Sequence, residues 1–320
     1  HTTLMGGGFG RRTEVDATVY AAQVAAAMPG TPVVVTWSRE EDMAHGMFRP
    51  MATARIKGSV KDGAVESLDL AICAPSIMET FAERFGVPQG AWEQPYGFAN
   101  YRVTTHKAPR TVPHGFWRSV GASHNGFFHE SAVDELAHLA GVDPLEFRLR
   151  QITHDPSRKV LEAVAEMSNW TSPRRNRALG VAFCLSFGVP TAEVIEVEDT
   201  PDGIRLTNAW AAVDVGIALD PRNIEAQVSG AMIFGLSAAL NGQITFAGGH
   251  VEQQNYWDYE PMRLHQCPQI QVRILESGGK IRGIGEPGTP PAAPALANAL
   301  FALTGQRARE LPLSKSFAFA

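Results

Sequence analysis

The apolar positions along the chain change period several times, and those changes predict its elements. Leu4-Met5 reads as the end of a strand running into Gly6-Gly7-Gly8-Phe9-Gly10. Val15, Val19, Ala22 and Ala26 then fall at helical spacing. They predict a helix from about Thr13 to Met28, stopped by Pro29-Gly30. The β-branched run Val33-Val34-Val35-Thr36-Trp37 predicts a strand. Ser38, with Glu41 three residues on, marks a helix start. From Ala52 to Ile72 the alternation predicts two strands around Lys61-Asp62-Gly63, because Asp-Gly accepts the positive φ of a tight hairpin. Between Pro75 and Pro113 the pattern loosens into aromatic and proline-rich sequence. Long irregular stretches of that kind usually serve function or a partner contact.

Order returns with a helix from about Asn125 to Ala140. A second helix is opened by Asp143 as N-cap, with Pro144 and Glu146 in its first turn. The basic seam Arg174-Arg175-Asn176-Arg177 divides the chain into sub-domains 1–172 and 173–320. Beyond it, strands are expected at Gly180–Phe187, Ala192–Glu198 and Gly203–Val215, then a helix at Arg222–Leu240 and a strand at Gln269–Leu275. A last helix, Ala292–Leu303, ends at Gly305. The expected fold class is α/β (α+β), two sub-domains of mixed sheets with flanking helices.

Composition narrows the function. At 320 residues, 44% hydrophobic and 19% charged, the chain can bury a substantial core. A net charge of −5, without long like-charged runs, gives no basic stripe for nucleic acid. No window of apolar residues is long enough to span a membrane. The three cysteines, Cys73, Cys184 and Cys267, lie far apart, which suits neither a disulfide framework nor an iron–sulfur cluster. His124 and His129 with Glu130 lack the spacing of a zinc helix and read as packing residues, as do Met43, Met47 and Met51. No side chain is therefore expected to ligate a metal. The chain starts at His1 as a strand already under way, so an upstream segment is expected, and any targeting signal would lie there.

Three stretches could carry chemistry. The glycines of Gly6–Gly10 let backbone approach a ligand closely, and the following helix start would favour an anion. Arg11 stands where a dinucleotide fingerprint needs its last glycine, and a plain tight turn is the alternative. In Gly283-Ile284-Gly285-Glu286-Pro287-Gly288, a carboxylate sits on a stiff, open loop suited to a base; assisting the next helix is the alternative. Gly115-Phe116-Trp117-Arg118-Ser119-Val120-Gly121 could line a pocket with Arg118 orienting a ligand, or serve structure alone.

Together these stretches resemble the molybdenum-cofactor-binding large subunit of the xanthine oxidase and aldehyde oxidase family, in the right order. Gly6–Gly10 is similar to that family's Gly-Gly-Gly-Phe-Gly loop. Phe116–Gly121 is similar to its Phe-Arg-Gly-Phe-Gly segment, with Ser119 and Val120 replacing Gly-Phe. Asp134-Glu135-Leu136-Ala137 with Asp143–Arg148 resembles its paired helices, Gln227–Gly235 a helix start that helps hold the pterin, and Gly283–Glu286 its Gly-x-Gly-Glu loop. Trp117–Gly121, Gln254-Asn255-Tyr256 and Pro290-Pro291 point to the isoquinoline 1-oxidoreductase beta-subunit type.

The resemblance implies a molybdenum-pyranopterin cofactor, in cytosine dinucleotide form, touching Gly7, Gly8, Phe9, Gly10, Arg118, Gln227 and Gly285. It implies Glu286 as catalytic base in hydroxylation of an N-heteroaromatic or aldehyde, with water as oxygen source. Electrons would leave through 2Fe-2S clusters in a small partner subunit, with a cytochrome c as a possible acceptor. The upstream half of the large subunit would supply the opposite wall of the site, leaving this chain inactive alone. The competing reading is a non-catalytic scaffold that keeps the fold without metal.

Overall fold

The computed structural model describes residues 6–77 and 86–320. The strand expected at Leu4-Met5 lies outside them. Helix α1 spans Asp16–Ala27 and α2 spans Arg39–His45, whose N-cap Ser38 accepts from Glu41 N–H at 3.2 Å. Helix α1 buries none of its residues; Val15, Val19 and Val24 are all exposed. The strand expected over Val33–Trp37 does not form. Extended backbone becomes a strand only with a ladder partner, and this run has none among the described residues; Val34 is 89% exposed. Helix α2 stops at His45, so Met47 and Met51 do not continue a helical face, and Met51 is exposed.

The first sheet has the order β1 (Thr53–Lys61), β2 (Ala64–Ala74), β3 (Asn100–Lys107). Strands β1 and β2 form the expected hairpin, with Asp62 and Gly63 at φ of 51° and 76°. Strand β3 runs parallel to β2 inside the stretch expected to be irregular. Three helices follow: α3 (Ala122–Leu139), α4 (Pro144–Gln151) and α5 (Asp155–Ser168). The Asp143 carboxylate caps α4 by accepting from Leu145 and Glu146 N–H. Helix α5 is an addition to the expected elements, although Val160, Leu161 and Val164 carry its period and are fully buried.

The second sheet has the order β4 (Arg177–Ser186), β5 (Val189–Thr200), β6 (Gly203–Asp214), β9 (Gln269–Leu275). Its first three strands are antiparallel and β9 joins β6 in parallel, so both larger sheets are mixed, as expected. Between β6 and β9 lie α6 (Pro221–Leu240) and a short ribbon of β7 (Phe246–Ala247) and β8 (His250–Val251). Helix α7 (Ala292–Thr304) ends at Gly305, φ 74°. Among the described residues no helix is long and apolar enough to cross a membrane.

Alternation on the second sheet builds two cores. Ile195, Val197 and Val213 face Met232, Leu236 and Leu296 of α6 and α7. On the other face Phe183, Val194 and Trp210 meet Val160 and Val164 of α5, Leu136 of α3 and Leu70 of β2. Helices from before residue 172 thus pack on strands from after it. Helix α7 lies almost against the backbone of β4: a Cβ on Gly180 would stand 2.1 Å from Ala299 N and 2.2 Å from Ala295 O. Only glycine permits that approach, and it fixes the start of α7 and the loop before it.

The outer edge of β4 is finished by side chains. Glu130 of α3, 1% exposed, accepts from Phe183 N–H at 2.9 Å and from Arg148 Nε at 2.8 Å, through the same oxygen. Its other oxygen accepts from Tyr96 at 2.8 Å. Gln94 bonds both Leu185 N–H and Leu185 C=O, and Asn298 reaches Val181 C=O. Burial alone would raise the Glu130 carboxyl; the Arg148 and His129 contacts outweigh it and hold it at about 2.

Two outcomes follow from this cluster. Glu130→Ala removes the closest carboxylate from buried Arg148, leaving it only Asp134 at 3.7 Å, and takes the acceptor from Phe183 N–H and Tyr96. This should cost about 3 kcal/mol in urea unfolding, and a loss within experimental error would contradict the assignment. A carboxyl depressed from 4.5 to about 2 stabilises the fold above its unfolded value. That stability should be fully present above about pH 4.5 and fall as the pH drops toward 2. The Glu130→Ala variant should show a visibly shallower decline over the same window.

Candidate active site

The glycine loop owes its shape to backbone that bends left. Gly7, Phe9 and Gly10 have φ of 75°, 51° and 98°, and Arg11–Thr13 closes it as a single 3-10 turn. A Cβ on Gly10 would sit 2.3 Å from Phe116 O, so the loop is seated directly on the Phe116–Gly121 segment. Helix α1 begins only at Asp16, and that carboxylate is held by Arg11 at 3.0 and 2.9 Å. An internal ion pair sits at the helix N-terminus.

Gly7, Gly8, Phe9, Gly10, Arg118, Gln227, Gly285 and Glu286 all line one cavity of about 610 Å³. They come from the glycine loop, the segment before α3, the first turns of α6 and the loop before α7. Arg118 is the link among them. Only 6% exposed, it donates from Nε to Gly285 C=O at 2.7 Å and from Nη2 to Gln227 C=O at 3.2 Å and Gln227 Oε1 at 3.4 Å. Burial lowers its pKa and the nearby Glu286 carboxylate opposes that. Its partners are neutral acceptors, so it ties loops together while keeping a positive charge at the cavity wall.

Glu286 is half-buried. Its Oε1 accepts from Ser119 N–H at 3.0 Å, and its C=O accepts from Ser119 Oγ at 2.6 Å and from Thr289 N–H at 2.9 Å. The glycine-flanked carboxylate is therefore not a loose side chain on an open loop; its main chain is bolted to the segment opposite. Gly235 of α6 packs against Thr289 C=O and Ala292, so the same loop also leans on α6.

An aromatic column backs the cavity. Phe9, half exposed, stacks on Phe234 with centroids 5.2 Å apart, and Phe234 meets Trp117 at 4.6 Å. The Arg118 guanidinium lies 5.3 Å from the Phe9 ring and 5.7 Å from the Phe234 ring. Phe234 was not among the sequence candidates, although it stands seven residues after Gln227 and so on the same helix face. Phe187, in the β4–β5 turn at φ 51°, also lines the cavity. An aromatic beside glycine in a hairpin turn is its sole sequence signal. His124, His129 and Glu130 stand away from the lining. Among the described residues no group of His, Cys, Asp or Glu is arranged to hold a metal ion.

Comparison with known proteins accounts for this arrangement. Two family models, both described as molybdopterin cofactor-binding domain, match residues 1–152 and 120–268. The beta subunit of isoquinoline 1-oxidoreductase from Brevundimonas diminuta is 34% identical over 99% of this chain and 43% of its own length. A nicotinate dehydrogenase subunit of Pseudomonas putida is 28% identical over 88% of this chain and 27% of its own. The chain thus spans less than half the length of these curated relatives. Among solved structures, quinoline 2-oxidoreductase from Pseudomonas putida 86 superposes with a TM-score of 0.81 at 13% identity, over 96% of this chain and 66% of that one. Aldehyde oxidoreductase from Desulfovibrio gigas gives 0.75 at 14% identity, over 98% and 53%. Fold, two matched domains that together span residues 1–268 and a relative aligned along 99% of this chain agree: the chain belongs to the molybdopterin cofactor-binding domain family.

Proposed function

We propose that the cavity holds a molybdenum-pyranopterin cofactor, in cytosine dinucleotide form, with Gly7, Gly8, Phe9, Gly10, Arg118, Gln227 and Gly285 as its contacts. The assembled enzyme hydroxylates an N-heteroaromatic or aldehyde substrate with water as the oxygen source, and Glu286 is the base. One observation carries this reading: four separated segments converge on one cavity, and among the described residues the single carboxylate in its lining is the one fixed by hydrogen bonds from the facing segment.

The residues fit such a group. A pyranopterin is flat and carries phosphate charge, so it needs bare backbone, a cation and a planar apolar surface. A Cβ at Gly285 would meet nothing within 4 Å, leaving bare backbone open to a ligand. Arg118 supplies the cation, and the half-exposed Phe9 ring supplies the surface. Among the described residues the lining contains no thiolate and no imidazole, so the pterin rather than the protein would hold the metal.

When bound, the cofactor supplies two-electron oxidation of a substrate carbon. This chain positions the reactants and moves a proton. Glu286 Oε1 is occupied by Ser119 N–H, while no hydrogen bond holds Oε2 among the described residues, so Oε2 is the atom that takes the proton from the attacking water. Arg118 keeps the peptide of Gly285 in place beside it. Trp117, Val120 and Phe187 give the wall an apolar surface suited to a planar substrate.

Partners belong to the same proposal. The three cysteines of this chain are free and apart and offer no cluster ligand set; in this reading electrons leave through 2Fe-2S clusters of a small subunit, with a cytochrome c as acceptor. The exposed apolar residues of α1, close in sequence to the glycine loop, are a surface for the remaining half of the large subunit, which would complete the site.

Glu286→Gln keeps shape and polarity but removes the base. In the complete enzyme it should lower kcat by about 10²-fold or more while molybdenum content stays near wild type; unchanged turnover would sink the assignment. The purified active complex should also contain iron, measured by mass spectrometry, and an active complex without iron would refute the electron path.

A further inference from the structure

Ser119 occupies a position where the segment it resembles carries glycine. Val120 N–H closes a tight turn onto Trp117 C=O at 2.7 Å, and Ser119 is the third residue of that turn, at φ 72°. The third position with positive φ favours glycine. Val120 follows at φ 49°, so two consecutive residues with side chains, one of them β-branched, adopt the left-handed region. Glycine at 119 would relieve strain, which makes the side chain itself the feature to explain.

That side chain is fully buried and used. Its Oγ donates to Glu286 C=O at 2.6 Å, and the left-handed backbone turns its own N–H onto Glu286 Oε1 at 3.0 Å. Arg118 and Val120 on either side line the cavity, and Ser119 does not. Ser119 therefore contacts nothing bound there; any influence it has passes through Glu286. The Glu286 carbonyl also accepts from Thr289 N–H, so the hydroxyl is not required merely to satisfy that oxygen. What it adds is a cross-link between segments 167 residues apart in sequence.

We infer that Ser119 is a positioning residue that clamps Glu286, its hydroxyl fixing the main chain and its N–H aiming the carboxylate. The inference rests on reading Glu286 as the base. Ser119→Ala removes the hydroxyl and keeps the strained backbone, whereas Ser119→Gly removes the hydroxyl and relieves the strain. In hydrogen–deuterium exchange of the full chain, amides of residues 283–289 should exchange about 3- to 10-fold faster in both variants. In the complete enzyme kcat should fall about tenfold with KM within about twofold of wild type. A merely structural serine predicts the opposite for Ser119→Gly: equal or better stability, with loop exchange and kcat at wild-type values. Wild-type exchange in Ser119→Gly overturns the clamp. Faster exchange with unchanged kcat overturns its catalytic consequence, and Glu286→Gln then decides separately whether the base assignment has failed.

Discussion

The fold is organised around the buried ion pair of Glu130 and Arg148. Taking two charges out of water costs several kcal/mol per ion, and a pair in this setting is justified by what it fixes rather than by net stability. Here one carboxylate joins α3 to α4 through Arg148, to Tyr96 from the loop after β2, and to the open edge of β4 through Phe183 N–H. Asp134, one turn further along α3, reaches Arg307 beyond α7 at 2.6 Å. Helix α3 therefore carries two buried carboxylates, one tied to β4 and the other to the segment after α7.

From that anchor the site is reached in few steps. Strand β4 is held at its edge, Gly180 lets α7 lie on its backbone, and α7 sets where the Glu286 loop begins. Helix α3 begins directly after Gly121, so the segment carrying Arg118 and Ser119 is fixed by the same helix. The two loops that meet at Glu286 are thus extensions of one rigid scaffold. A base at Glu286, as proposed, needs that, because small displacements of a base are costly in rate.

The glycine loop is held differently. Its seat is a backbone contact between Gly10 and Phe116, and α1 behind it is exposed along its length. The cavity thus has one wall built on a packed core and another that depends on close backbone approach and aromatic stacking through Phe9 and Phe234.

By itself the sequence determined what local physics decides. Helix caps at Ser38, Asp143 and Gly305, the Asp62-Gly63 hairpin and the strands expected over β4 to β6 are set by neighbours a few residues away, and all are present in the structure. The candidate residues were legible because glycine, proline and isolated charges in short motifs leave a local mark. What only the tertiary structure decided depends on partners remote in sequence. Val33–Trp37 has strand composition but no ladder among the described residues, while β3 has a weak pattern and is made a strand by β2. The pairing of Asp16 with Arg11 at the start of α1 is likewise a contact that the structure adds. Ser119 holding Glu286, and Arg118 holding Gly285 and Gln227, are bonds across more than a hundred residues, and no spacing rule encodes them. Loop and edge contacts of that kind exist only once both packed cores have brought their segments together.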